Sequence, residues 1–375
     1  MDHLNEAPSR TRLVSRVTTV SRARVRGRYR LESAAVPAAL VLSWLLAGSI
    51  RSPWLALGLA IAGGAAWALV RRTKSSVSGK RLGQYTLDEK IGEGGMGVVY
   101  KASHALLQRP AAIKVLAPGR CGEQDLKRFE REVQLTSLLT HPNSISIYDF
   151  GRSDEGTFYY AMEYVDGVDL QTLVERDGPQ DPARVAHLLA QLVGALVEAH
   201  QIGLIHRDVK PANIMVCKRG GSSDFLKLLD FGLIKELCAS QEVTQTDPQR
   251  LLGTPLYLSP EALTAPDTID ARSDLYAVGA VGYFLLTGVP PFSGCNAIEV
   301  CGHHLHSAPV PPSSRRPGVI PAELEAILLR CLAKTPEQRP ATAAALRTEL
   351  LAFAAEWTQE RAAGWWSDHA AALAA

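Results

Sequence analysis

The densest chemistry in the chain lies in His206-Arg207-Asp208-Val209-Lys210-Pro211-Ala212-Asn213. A carboxylate at Asp208 can orient or deprotonate a hydroxyl, and Lys210 can stabilise charge growing on a transferred phosphoryl group. Asn213 offers an amide oxygen to a metal ion. Asp230, in Asp230-Phe231-Gly232, follows 17 residues later with a carboxylate able to chelate Mg2+. Upstream, Ile91-Gly92-Glu93-Gly94-Gly95-Met96-Gly97-Val98-Val99 holds a G-x-G-x-x-G, a pattern that dinucleotide-binding folds share. The run Val98-Val99-Tyr100-Lys101 that follows is β-branched and aromatic, so the glycines are predicted to join two strands rather than open a helix. Such a hairpin lets backbone N–H groups lie close over phosphates. The absence of Gly-Lys-Ser/Thr there excludes a Walker loop. Lys114, in Ala111-Ala112-Ile113-Lys114, stands 17 positions after Gly97, within reach of the same cleft. An ammonium there needs a carboxylate to fix it. Glu132 is the expected partner because it shares helical spacing with Phe129, Leu135 and Leu139, and Glu130 is the competitor.

These groups can meet only if larger elements bring them to one cleft. From Tyr85 to about residue 165 alternating β-branched segments dominate, and helix-period segments dominate afterwards. Val185, Leu188, Leu189, Leu192 and Leu196 follow helical spacing, as do Leu324, Ile327, Leu328, Cys331 and Leu332. The expectation is an α+β chain with a β-rich and a helical subdomain packed around a cleft. With 46% hydrophobic and 21% charged residues, the composition excludes wholly disordered, collagenous and small disulfide-scaffold classes. A net charge of +2 gives no case for nucleic acid as a partner. The cysteines lie far apart without a C-x-x-C pair, and read as small apolar residues rather than a zinc site. His303-His304-x-His306 reads as a solvated helix face.

The first 33 residues form a basic tail that reads as disordered, with eight arginines within residues 1–30. Two uncharged apolar stretches follow, 34–50 and 54–70, separated by Arg51-Ser52-Pro53. Each has 17 residues, roughly 25 Å as a helix against a hydrocarbon core of about 30 Å. Snorkelling arginines make such short helices workable. The sequence therefore predicts a membrane hairpin over 34–72, whose basic flanks share one side and whose spans meet lipid through 34–70. Residues 73–84 read as a polar juxtamembrane linker. Beyond residue 353 the tail 354–375 carries Trp365-Trp366 among alanines, either as a last helix packed on the helical lobe or as a docking segment.

Glycine loop, Ala-x-Lys, His-Arg-Asp-x-x-x-x-Asn and Asp-Phe-Gly, in that order, match the protein-kinase signature set. Residues 85–353 resemble a complete protein kinase domain, with an N-lobe over 85–165 and a C-lobe over 166–353. The resemblance is to eukaryotic-like serine/threonine kinases of bacteria, with Gly253-Thr254-Pro255-Leu256-Tyr257-Leu258-Ser259-Pro260-Glu261 in support. Ser259 stands where the family more often has Ala. The resemblance implies ATP and Mg2+ as cofactors, with Mn2+ as an alternative, and protein Ser/Thr hydroxyls as acceptors. It implies that Lys114 holds the α- and β-phosphates, that Asp208 is the catalytic base, and that Asn213 and Asp230 are metal ligands. Met162 resembles the gatekeeper, and Glu163 to Val165 the hinge whose backbone binds adenine. Asp274 resembles the aspartate that supports the catalytic loop, and Arg339 the partner of Glu261. Thr244 and Thr246 stand where similar kinases carry phosphorylated threonines. Together with the hairpin, this predicts a multi-pass protein of the inner (plasma) membrane with its kinase domain in the cytoplasm, where hairpin association would give a homodimer. A nucleotide-binding pseudokinase scaffold is the alternative, although no required catalytic side chain is replaced.

Overall fold

The computed structural model describes residues 79–94, 97–116, 130–131, 133–153, 156–231 and 255–374. The first lobe is a six-stranded antiparallel sheet in the order β1-β2-β3-β4-β6-β5. Its strands are β1 (Arg81–Leu82), β2 (Tyr85–Gly94), β3 (Gly97–His104), β4 (Pro110–Leu116), β5 (Ile147–Arg152) and β6 (Phe158–Glu163). The glycine loop joins two strands, as its flanks predicted, and Gly94 pairs with Gly97 where β2 turns into β3. Gly97 adopts φ +149°, and a Cβ there would stand 2.1 Å from the carbonyl oxygen of Val115. Only glycine lets β3 lie this close to β4. Ala111, Ala112, Ile113 and Lys114 are all buried, so the lysine sits inside an otherwise apolar strand.

The second lobe begins with a small sheet, β7 (Gly167–Asp169), β8 (Ile214–Arg219) and β9 (Ser222–Leu228), and continues with helices. Helix α1 (Leu170–Asp177) is followed by α2 (Pro182–Gln201), whose first turn is capped by the Asp181 carboxylate accepting from Ala183 N at 2.9 Å. The predicted stripe Val185, Leu188, Leu189, Leu192 and Leu196 is wholly buried. Short α3 (Pro260–Thr264) leads to α4 (Ala271–Thr287), which is buried almost all round and stops at Gly288, a left-handed residue with φ +78°. Then come α5 (Ala297–His306), α6 (Pro312–Arg315), α7 (Ala322–Cys331) and α8 (Ala343–Ala354). Leu324, Ile327, Leu328 and Cys331 of α7 face inward, as their spacing required.

The last helix, α9 (Gln359–Ala374), packs on the second lobe and takes the first of the two readings open to the tail. Its anchor is polar. Asp224 of β9, fully buried, accepts from Arg184 Nε at 2.8 Å and Nη2 at 2.7 Å. It also accepts from the indole N–H of Trp357 at 2.8 Å and of Trp366 at 2.7 Å. The Arg184 guanidinium lies 3.5 Å from the centroid of the Trp365 ring.

Three expectations need comment. His304 is buried rather than solvated, because it shares the inward face of α5 with Val300; its Nδ1 meets Tyr276 Oη at 2.7 Å. Burial pushes its pKa down to about 4, so it is neutral. His303 is only partly buried and His306 is exposed, as expected of a helix surface. Cys217 and Cys331 are buried like small apolar residues, but Cys295 is exposed. No helix among the described residues is long and apolar enough to cross a membrane, and the predicted spans 34–50 and 54–70 lie outside those residues.

Candidate active site

The loop after α2 owes its shape to a carboxylate on α4. Asp274 Oδ2 accepts from His206 N at 2.8 Å and from the His200 ring at 2.8 Å, while its Oδ1 accepts from Arg207 N at 2.9 Å. This grip holds Arg207 at φ +62°, a left-handed conformation that costs a non-glycine residue roughly 1–3 kcal/mol. The His206 ring bonds the Leu229 carbonyl at 2.9 Å and lies 4.6 Å from the Phe231 ring, which ties the loop to the segment carrying Asp230.

Asp208 comes next along the loop. Lys210 Nζ donates to its Oδ2 at 2.8 Å, and the Asn213 amide donates to the same oxygen at 2.9 Å and to the Asp208 carbonyl at 2.9 Å. These bonds spend the nitrogen of Asn213 and leave its oxygen as the acceptor end. The Leu229 N–H donates to the Asn213 carbonyl at 2.8 Å, so the residue before Asp230 is bound directly to Asn213. Asp230 itself is left-handed, with φ +42°.

Across the cleft, Lys114 Nζ stands 2.7 Å from Asp230 Oδ2, and Tyr160 Oη donates to Asp230 Oδ1 at 2.8 Å. Burial works to raise the Asp230 pKa, but the Lys114 charge and the two hydrogen bonds outweigh it and hold the carboxyl below its usual range. Glu132, the expected partner of Lys114, lies outside the described residues, as do Gly95, Met96, Thr244 and Thr246. Glu130, the competitor, points elsewhere, 3.8 Å from Arg152.

Met162 is buried on β6, and Glu163 ends that strand. The Glu163 side chain pairs with Arg219 and with Lys227 Nζ at 2.8 Å. A pocket beside Asp208 is lined by Lys210, Tyr257, Leu258 and Ser259. Below it, Arg339 donates to both oxygens of Glu261, at 2.6 and 2.8 Å, and Ser273 donates to Oε1. Burial opposes ionisation of Glu261, yet those bonds pull its pKa down to about 2.

The described geometry thus gathers Lys114, Asp208, Lys210, Asn213 and Asp230 into one cleft between the sheet and the helices. The Asn213 amide and the Asp230 carboxylate offer hard oxygen donors of the kind Mg2+ takes. Sequence reasoning missed Tyr160. Nothing in Phe158-Tyr159-Tyr160-Ala161-Met162 indicates which of its tyrosines reaches the site.

Residues 85–351 match the protein kinase domain family. The chain belongs to that family. The kinase is 42% identical over 272 residues to the serine/threonine-protein kinase pkn3 of Myxococcus xanthus, a match covering 72% of this chain and 50% of the relative. It is 43% identical over 273 residues to the serine/threonine-protein kinase PknB of Mycolicibacterium smegmatis, covering 72% of this chain and 42% of the relative. The chain therefore spans half or less of the length of these curated relatives. Among solved structures, the PknI kinase domain of Mycobacterium tuberculosis superposes with a TM-score of 0.56 at 29% identity, covering 74% of this chain and 98% of that one. The two-lobed kinase fold is shared, and the domain is of the serine/threonine protein kinase type. Helix α9, with its tryptophans, lies beyond the matched 85–351.

Proposed function

We propose that this chain is a membrane-tethered protein kinase that transfers the γ-phosphoryl group of ATP to serine or threonine hydroxyls of proteins. The observation that carries the reading is Asp208, held by Lys210 and Asn213 beside a pocket and facing the Lys114–Asp230 pair. Asp208 would accept or orient the proton of the incoming hydroxyl, and Lys210 would offset charge developing on the transferred group. Lys114 would hold the α- and β-phosphates, and the backbone of Glu163 to Val165 would bind adenine. Asn213 and Asp230 would hold Mg2+, which when bound supplies charge neutralisation between phosphates. Catalysis is then mainly positioning. A pseudokinase would have lost one of Lys114, Asp208 or Asp230, and all are present. The test is incorporation of labelled phosphate into protein by the full-length chain with Mg2+ and ATP, with the Asp208 variant discussed below as its control.

Activation belongs to the same proposal. Thr244 or Thr246 is expected to carry phosphate, whose charge of about −2 would be met by Arg207 next to the catalytic Asp208. Mass spectrometry of active protein should find the phosphate, and changing both threonines to Ala should cut activity at least tenfold. Full activity in the double variant would refute the switch.

The membrane hairpin stands on its sequence alone: two apolar stretches flanked by arginines. Both basic flanks and the kinase domain would face the cytosol, leaving only Arg51-Ser52-Pro53 outside, far too little to fold a ligand-binding domain. In intact cells Ser9→Cys and Ser75→Cys should resist an impermeant thiol reagent, whereas Ser52→Cys should react. Labelling at Ser9→Cys would leave a single span.

A further inference from the structure

Strand register decides what stands beside Lys114. Lys114 and Tyr160 are direct partners across the β4–β6 ladder. Directly opposed residues share one face of a sheet, so both side chains reach the same side. There they converge on a single carboxylate, with Lys114 2.7 Å from Oδ2 of Asp230 and the Tyr160 hydroxyl 2.8 Å from Oδ1. The ammonium also lies 5.9 Å from the centre of the tyrosine ring. Tyr160 is only 1% exposed, so water cannot readily replace its hydroxyl.

The roles of donor and acceptor are fixed by chemistry. The Tyr160 hydroxyl meets a carboxylate oxygen, which can only accept, so the hydroxyl donates. Asp230 is ionised, and a carboxylate has about four lone-pair sites. Lys114 and Tyr160 occupy two of them, which leaves room for a metal. The left-handed backbone of Asp230 does not by itself settle where the carboxylate points, and its two donors do.

We infer that Tyr160 is a positioning residue for Asp230, holding its carboxylate in the orientation seen here when Lys114 is drawn to nucleotide phosphates. The inference rests on the kinase reading above. A tyrosine that only fills space would lose nothing but its hydroxyl on becoming Phe. A tyrosine that positions Asp230 would weaken metal-dependent binding while leaving metal-free binding intact.

The experiment titrates Mg2+ into the full-length chain with a fluorescent ADP analogue, and repeats the nucleotide titration in EDTA. Tyr160→Phe should raise the half-saturating Mg2+ concentration by about tenfold or more, the span carried by one hydrogen bond to a charged group. Affinity in EDTA should not change. Tyr160→Met, which also lacks the hydroxyl, should reproduce the shift, so the test survives failure of one variant to fold. In an Asp230→Ala background, where no side-chain acceptor remains for the hydroxyl, the Phe substitution should have no further effect. An unchanged Mg2+ midpoint in a folded Tyr160→Phe protein would overturn the inference. So would a shift that persists beside Asp230→Ala, or an equal loss of affinity in EDTA. A wild-type chain without Mg2+-dependent nucleotide binding would instead sink the kinase reading, and the inference with it.

Discussion

Replacing Asp208 with Asn is expected to slow phosphoryl transfer by roughly 10²–10⁴-fold, the range that a positioned acid–base group contributes. The substitution is nearly isosteric. An Asn side-chain oxygen can still accept from Lys210, so the loop should keep the conformation that Asp274 imposes through the backbone of His206 and Arg207. The phosphate contacts assigned to Lys114 and the metal ligands assigned to Asn213 and Asp230 are untouched, so Mg2+-nucleotide affinity should change less than about threefold. The effect should fall on kcat and scarcely on the KM for ATP. Initial rates of phosphate incorporation, read beside a binding titration of the same preparation, check both halves. A variant retaining more than a tenth of the wild-type rate would mean that another group accepts the proton.

The second large effect concerns stability. Asp224→Ala removes a buried carboxylate that accepts from Arg184 at two atoms and from the indole N–H groups of Trp357 and Trp366. Arg184 is only 1% exposed and would remain as a buried, unpaired cation. Breaking one side of such a pair costs about 3–5 kcal/mol, and each unsatisfied indole adds roughly 1–3. Against a typical domain stability of about 5–15 kcal/mol, that is enough to release α9 or unfold the lobe. Asp224 also sits at φ +52°, a conformation that Asn tolerates better than Ala. Asp224→Asn should therefore be milder than Asp224→Ala, though still destabilising. Urea denaturation followed by tryptophan fluorescence should show an earlier midpoint and a red-shifted native spectrum for the Ala variant. A loss below about 1 kcal/mol would show that Trp357 and Trp366 dock by apolar contact alone.

What the sequence could determine was local. The glycine hairpin, the loop from His206 to Asn213, and Asp230-Phe231-Gly232 are short strings whose residue types and spacing were enough to name them and their order, although the backbone of His206 and Arg207 is held from a distance by Asp274. Helical periodicity gave the buried faces of α2 and α7 for the same reason: a side chain four positions along a helix shares its face whatever else the chain does. Tertiary structure alone decided the long-range pairings. Tyr160 reaches Asp230 from 70 positions away because β6 is paired with β4 in one register, and a slip of a single residue would have presented Tyr159 or Ala161 to Lys114 instead. His304 is buried because the inward face of α5 is set by packing against Tyr276 of α4, not by the run of histidines. In sequence Trp365-Trp366 favoured a last helix packed on the lobe, with a docking segment as the alternative. Burying Arg184 and Asp224 together required further donors from a distant segment, and the tail supplies them, because a buried carboxylate is tolerated only when its lone pairs are met.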